Sequence, residues 1–129
     1  MYILDSNILI GHLNGDKKIE RWIDKQRNDK EYLAISTISK IEVLSLKELK
    51  DSQIEQIEQF LDVFEEINLY GNITNLAAAL RRKENITLGD AIILASALSR
   101  KAHLVTNDKK LLQVSKKFVT AHGIPQSPK

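Results

Sequence analysis

The 129-residue chain has the composition of a globular protein, with 43% hydrophobic and 28% charged residues. It is long enough to bury a core, and we expect one domain spanning residues 1–129. No apolar stretch reaches the roughly 20 residues of a membrane span, and no segment resembles a secretory signal. The absence of cysteine excludes disulfide scaffolds and thiolate metal sites and suits a reducing cytoplasm. The formal net charge of +2 is too small to indicate a polyanionic partner.

Short apolar runs alternate with longer helical patterns along the chain. The strand-like segments are, in order, MYIL, YLAIS, EEINL, HLVT and KFVTA. Helical periodicity is clearest over residues 51–64, and residues 73–85 and 88–101 are rich in the helix formers Ala and Leu. The last residues, 121–129, contain both prolines and are predicted to be irregular. Strands that alternate with helices predict an α/β domain of three layers, with a central parallel sheet between helices.

The first strand ends abruptly at Asp5, which is followed by Ser6 and Asn7. Functional groups of an open parallel sheet collect beyond the carboxyl ends of its strands. Asp5 is therefore a candidate for a site at that edge. The alternative is a purely local role, because Asp is a favoured N-cap and a helical pattern over residues 6–13 follows.

Glu42 follows the second strand and is surrounded in sequence by apolar residues. Its alternative role is a capping box, because Ser39 and Glu42 have the required spacing of three residues.

Asp90 has the same spacing from Thr87 and precedes the segment AIILASAL, which is apolar nearly all round and predicts a buried helix. A carboxylate at the start of a buried helix needs a partner, because burying an unpaired charge is costly.

Asp108 ends the segment HLVTND and is either a site residue or the N-cap of a short helix over residues 109–114. Asn107 would share that capping. Thr106 is a turn or capping residue whose hydroxyl would also reach a metal-bound water.

Together these four acids predict a metal centre. Each follows a strand or begins a helix, and in a parallel sheet those positions share one edge. Four neighbouring carboxylates raise one another's pKa values, and a hard divalent cation relieves that repulsion. Because there is no cysteine and His12, His103 and His122 are scattered, Mg²⁺ or Mn²⁺ is favoured over Zn²⁺.

The segments MYILDSNILI, STISKIEVLSL, ITLGDAIILASAL and HLVTNDKKL resemble, in order and spacing, the motifs of PIN-domain nucleases, and the size is similar to VapC-type toxins. The resemblance implies a parallel sheet of about five strands and Mg²⁺- or Mn²⁺-dependent cleavage of RNA. It implies catalytic and metal-binding roles for Asp5, Glu42, Asp90 and Asp108, with Asn7 and Thr106 as accessory polar residues. Asp108 matches the most variable of the family's acids.

The same resemblance implies two protein partners, an antitoxin and a second copy of the chain. The antitoxin would bind a groove formed by the first helices and the helix at residues 51–64. Trp22 is more simply interpreted as a core residue. Cations that would hold RNA phosphates are Lys109 and Lys110, which adjoin Asp108, and less directly Arg81, Arg82, Lys83, Lys116 and Lys117. The alternative for each is an ordinary solvated surface charge.

Two other functions remain open from the sequence. A phosphatase of the haloacid-dehalogenase type also begins with an Asp at its first strand, but needs a second Asp two residues later, where this chain has Asn7. A non-catalytic RNA-binding protein would have lost its metal, although all four acids are present.

Overall fold

The computed structural model describes residues 1–125 and forms, within them, five strands and seven helices. The strands are β1 (Tyr2–Leu4), β2 (Leu33–Ser36), β3 (Glu65–Ile67), β4 (His103–Val105) and β5 (Ala121–His122). The helices are α1 (Ser6–Leu13), α2 (Lys17–Asn28), α3 (Thr37–Leu44), α4 (Asp51–Leu61), α5 (Gly71–Lys83), α6 (Leu88–Arg100) and α7 (Lys109–Ser115).

All five strands are parallel and lie in the order β3-β2-β1-β4-β5. The strand β1 is central, and the chain passes first to one side of it and later to the other. Tyr2 is in register with both Leu33 and His103, so β1, β2 and β4 end at one edge. An edge of this kind, where the strand order reverses, is the usual position of a site in an open α/β sheet.

Successive strand residues point to opposite faces of the sheet, and each face has its own core. In β1, Ile3 belongs to one core and Leu4 to the other, and in β4 Leu104 and Val105 divide in the same way. Helices α5, α6 and α7 pack on the first face, whereas α1 to α4 pack on the second. The predicted α/β/α architecture of three layers is therefore confirmed.

Helix α6 is the most buried of these elements: seven consecutive residues, from Ala91 to Ala97, are buried. This confirms the expectation drawn from its uniformly apolar sequence. Trp22 packs against the second core, with its ring 5.1 Å from that of Tyr2 in an edge-to-face arrangement, and is a core residue as predicted.

The outer strands of the sheet are short. β5 has two residues, and β3 has three, of which the first two are Glu65 and Glu66. Glu65 forms an ion pair with Arg100, and Glu66 forms one with Lys40.

The predicted position of the last strand is wrong. The sequence indicated residues 117–121, but β5 begins at Ala121. The carbonyl oxygen of Ser115 accepts hydrogen bonds from the backbone N–H groups of Phe118 and Val119, so these groups end α7 and do not pair in the sheet. The predicted irregular stretch is also wrong at its start, since Ala121 and His122 are β5; residues 126–129 of that stretch lie outside the described residues.

No helix among residues 1–125 combines the length and the apolar character that crossing a bilayer requires.

Helix α6 ends at Lys101, a lysine in the left-handed conformation that favours glycine (φ 51°). The next residue, Ala102, donates its N–H to the carbonyl of Ala97 and closes the cap. We expect Lys101→Gly to raise the free energy of unfolding by about 0.5–1 kcal/mol, because glycine adopts this conformation without steric cost.

Urea unfolding followed by circular dichroism would measure this gain. The matched control is Arg21→Gly, at an exposed position in the middle of α2, which should instead lower the free energy of unfolding by about 1 kcal/mol. A loss of stability in Lys101→Gly would contradict the prediction.

Candidate active site

Asp5 lies at the centre of the carboxyl edge of the sheet. Its backbone N–H continues the pairing of β1 with β4 by donating to the carbonyl of Val105 (2.9 Å). Its side chain is only 4% exposed. One carboxylate oxygen accepts the N–H of Ser6 (2.8 Å), so the predicted N-cap of α1 is present. The other oxygen is free of that capping bond and faces Thr106.

Thr106 and Asn7 hold this second oxygen of Asp5. The buried Thr106 hydroxyl donates to it (2.7 Å), and the Asn7 side-chain amide lies 3.2 Å from both that oxygen and the Thr106 hydroxyl. The Thr106 hydroxyl also accepts the backbone N–H of Asp108 (3.1 Å), so its one donor and two acceptor positions are all used. Both accessory residues therefore lie beside Asp5.

Asp108 caps α7 by accepting the N–H of Leu111 (3.0 Å), and it is otherwise exposed. Asn107 does not share this capping, contrary to the prediction. Its side-chain oxygen accepts the N–H of Ile124 (2.8 Å), and its own N–H donates to the side-chain oxygen of Asn7 (3.1 Å).

Glu42 is in the second turn of α3 rather than at its start. The N-cap of α3 is Ser36, whose hydroxyl accepts the N–H of Ile38, so the predicted capping box of Ser39 with Glu42 is wrong. Ser39 is instead fully buried within the helix. The Glu42 carboxylate is free to approach α6: a Cβ at Gly89 would lie 3.9 Å from both of its oxygens.

Asp90 lies in the first turn of α6 and is half-buried. The capping prediction is confirmed for Thr87, whose hydroxyl accepts the N–H of Asp90 (3.1 Å). No hydrogen bond from the Thr87 N–H back to the Asp90 carboxylate is found among the described residues, so the box is incomplete and the carboxylate remains available.

The four acids interact electrostatically across this edge. Burial raises the pKa of Asp5, and the negative charge of Asp108 raises it further, although the hydrogen bonds from Thr106 and Ser6 act in the opposite direction. Burial and the charge of Asp5 raise the pKa of both Glu42 and Asp90. The cluster is therefore a concentration of negative charge in partly dehydrated surroundings.

Few cations compensate this charge. Within residues 1–125, none of the four acids forms an ion pair with lysine or arginine. Lys110 is close enough to lower the pKa of Asp90, as its position after Asp108 suggested. Arg81 and Arg82 are exposed in the last turn of α5 and make no ion pair in the described part of the chain. Lys117 pairs with Glu84 instead (2.9 Å).

The donor set suits a hard divalent cation, because the groups that remain available are carboxylate oxygens. No three acidic or histidine side chains of residues 1–125 already lie at the spacing of a complete metal site. This is compatible with Mg²⁺, which commonly takes one or two carboxylates and retains several waters. It is less compatible with Zn²⁺, whose sites are built mainly from histidine nitrogen and cysteine sulfur.

Two residues of this arrangement were not anticipated in these roles. Ser6 lies against the carboxyl groups of both Asp5 and Glu42, and its hydrogen bonds lower the pKa of each. Asn107 connects the network to the segment after β5. The only sequence signal for the role of Ser6 is its place directly after Asp5. The role of Asn107 can be predicted only if β5 is known to lie beside β4.

Comparison with known proteins places this geometry in a family. The family model described as PIN domain matches residues 2–117. No protein with a curated description matches the chain in sequence. A chain in a solved toxin–antitoxin complex from Klebsiella pneumoniae is 31% identical, with a TM-score of 0.73 over 85% of this chain and 89% of that one.

Two further solved structures share the fold at lower identity. VapBC2 from Rickettsia felis, bound to a DNA fragment from its promoter, has a TM-score of 0.80 and 21% identity over 96% of this chain and 98% of that one. DNA-bound VapBC from Salmonella typhimurium has a TM-score of 0.77 and 19% identity over 95% and 96%. The family match spans nearly all of the described chain, including each of the four acids, and the protein therefore belongs to the PIN domain family.

Proposed function

We propose that this protein is an endoribonuclease that hydrolyses RNA phosphodiester bonds with Mg²⁺ or Mn²⁺ and is the toxin of a toxin–antitoxin pair. The observation that carries the proposal is the group of four acids at one sheet edge, where neighbouring carboxylates raise the pKa values of Asp5, Glu42 and Asp90. None of the four acids has an arginine or lysine ion pair among the described residues. Membership of the PIN domain family, whose members are nucleases, supports the reaction type.

Asp5 and Asp90 are the proposed direct ligands, because they are the two most buried of the acids. Glu42 and Asp108 would complete the site through waters or a second ion. A bound divalent cation supplies an activated water and stabilises the charge that develops on the phosphate. The hydrogen bonds from Thr106 and Ser6 orient Asp5 and favour its ionised form against the effect of burial.

Substrate phosphates would be held by Lys109 and Lys110, which are exposed at the start of α7 beside Asp108. Contacts of this type give affinity without sequence preference. Arg81 and Arg82 would contribute to the same basic surface from the end of α5. The choice of RNA as substrate rests on the resemblance to PIN-domain nucleases.

An antitoxin protein and a second copy of the chain are the proposed partners. The similarity to a chain of the Klebsiella pneumoniae toxin–antitoxin complex supports the first of these. The homodimer rests on resemblance. We also propose that residues 1–129 form one domain that acts in the cytoplasm, which agrees with the absence of cysteine.

The phosphatase alternative receives no support from the geometry. It needs an acid at residue 7, and the Asn7 amide there instead donates to Asp5 and Thr106. The non-catalytic alternative is separated from the nuclease by the first of the following experiments.

We expect Asp90→Asn to reduce Mg²⁺-dependent cleavage of single-stranded RNA by about 100-fold or more, because it removes a charged ligand. Cleavage of a fluorescent RNA, with EDTA as the metal-free reference, would measure this loss. The control is Asp24→Asn, an exposed acid of α2, which should cleave like the wild type. Wild-type protein that binds RNA but neither binds Mn²⁺ nor cleaves the RNA would favour the non-catalytic alternative.

The raised pKa of Asp90 means that its ionisation opposes folding when no metal is bound. We therefore expect Asp90→Asn to raise the thermal midpoint in EDTA at pH 7. The difference in thermal midpoint between Asp90→Asn and the wild type should shrink as the pH falls through the folded-state pKa of Asp90, because the wild-type carboxyl is then neutral. Addition of Mg²⁺ should stabilise the wild type and not the variant.

Differential scanning fluorimetry with and without Mg²⁺ would measure both effects. An EDTA midpoint that falls in Asp90→Asn, or an equal gain from Mg²⁺ in the two proteins, would contradict the prediction.

Replacing Lys109 and Lys110 by alanine should raise the KM for RNA several-fold and leave kcat at saturating RNA within about twofold, because phosphate contacts contribute mainly to binding. The slope of log affinity against log salt should become shallower by about 0.7 for each single-strand phosphate that a lysine no longer neutralises. The control is Lys25→Ala, in the last turn of α2. An unchanged KM and salt slope would show that these lysines are ordinary surface charges.

A further inference from the structure

The segment after β5 is tied to the active site through one side chain, that of Asn107. Backbone pairing of β5 with β4 gives hydrogen bonds from Leu104 N–H to Thr120 and from Thr106 N–H to His122. The next backbone donor on the β5 side, the N–H of Ile124, is accepted by the side-chain oxygen of Asn107 (2.8 Å). Asn107 thus replaces a backbone carbonyl at the end of the ladder.

The connection continues inward to Asp5. The backbone N–H of Asn107 donates to the side-chain oxygen of Asn7, which fixes the orientation of the Asn7 amide. The nitrogen of that amide then donates toward the Thr106 hydroxyl and toward Oδ2 of Asp5, the carboxylate oxygen that Thr106 also contacts. Two residues, Asn107 and Asn7, therefore link the Ile124 backbone to the Asp5 carboxylate.

Both ends of the link are buried. Ile124 is 4% exposed and belongs to the same core as Leu4 and Val105, the last residues of β1 and β4. Gly123 is packed against the link, since a Cβ there would lie 2.7 Å from the side-chain oxygen of Asn107 and 3.1 Å from the carbonyl of Thr106. Only glycine leaves Asn107 in this position.

The hydrogen bond between the Ile124 N–H and the Asn107 side-chain oxygen has an energetic cost. The side-chain nitrogen of Asn107 is buried and has no hydrogen-bond partner among the described residues. An unpaired buried donor is destabilising, and turning the amide over would place that nitrogen against the N–H of Ile124. A residue chosen only for stability would avoid this cost.

From this geometry we infer that Asn107 is a positioning residue, through which the Gly123–Ile124 segment sets the placement of the Asp5 carboxylate for metal binding. The inference rests on the proposed function in that Asp5 is a metal ligand. It concerns residues outside the group of four acids.

The test compares Gly123→Ala and Asn107→Ala with the wild type. We expect each to weaken Mn²⁺ binding, measured by isothermal titration calorimetry, by about 10-fold, a size typical of losing a group that orients a ligand. Asn107→Asp retains an acceptor for the Ile124 N–H and removes the unpaired donor. Its affinity for Mn²⁺ should therefore be no more than about threefold weaker than that of the wild type. Gly71→Ala is the matched control, because a Cβ there meets nothing within 4 Å.

A metal-free readout keeps this inference separate from the proposed function. In ¹⁵N–¹H spectra recorded in EDTA, the side-chain amide signals of Asn7 should shift in Gly123→Ala and Asn107→Ala and remain in place in Gly71→Ala. In the wild type, Mg²⁺ should slow hydrogen exchange at the Ile124 N–H, because coupling between two sites is reciprocal.

The outcomes are distinguishable. Wild-type protein that binds no Mn²⁺ overturns the proposed function, and unshifted Asn7 signals overturn the positioning role on their own. The positioning role would also be overturned if Asn107→Ala folds and binds Mn²⁺ with wild-type affinity. The same conclusion would follow if Asn107→Ala and Asn107→Asp weaken Mn²⁺ binding equally, or if bound Mg²⁺ leaves hydrogen exchange at the Ile124 N–H unchanged. If Gly123→Ala does not fold, Asn107→Ala and the wild-type exchange measurement decide.

Discussion

The constraint on which the structure depends is the placement of an ionisable group, Asp5, where almost no water reaches it. A carboxylate that is 4% exposed is costly unless hydrogen bonds or a cation compensate its charge. The fold supplies the hydrogen bonds from two directions: α1 offers the N–H of Ser6, and the loop after β4 offers the hydroxyl of Thr106. The bond from Thr106 exists only because β1 and β4 are neighbours, so the strand order and the chemistry of the site have the same origin.

Capping and site chemistry prove to be compatible in the same side chain. Asp5 and Asp108 each cap the helix that follows, and each still contributes negative charge to the edge of the sheet. A carboxylate has two oxygens, and a cap uses one of them. The helix beginnings therefore place acids at the site and fix their orientation, which a loop of the same composition would not do.

The sequence predicted what depends on local pattern and missed what depends on packing. Apolar runs located the first four strands along the chain, and the acids that follow them identified the edge of the sheet. The Ser39 spacing was misleading, because the N-cap of α3 is Ser36, three residues earlier, and Ser39 is buried within the helix. Strand β5 was misplaced since the end of α7 takes up the backbone groups of Phe118 and Val119. The role of Asn107 is not visible in sequence, as its partner Ile124 is brought to it only by the β4–β5 pairing.

The short outer strands have a consequence for behaviour in concentrated solution. Unpaired backbone groups at the border of a sheet can template pairing with another chain, and natural proteins oppose this with brevity and charge. β5 offers two residues, and β3 begins with two adjacent glutamates, each held by a cation from a neighbouring helix. A second molecule approaching β3 would meet fixed charges before it reached the backbone, which protects this parallel sheet from growing by addition of further copies.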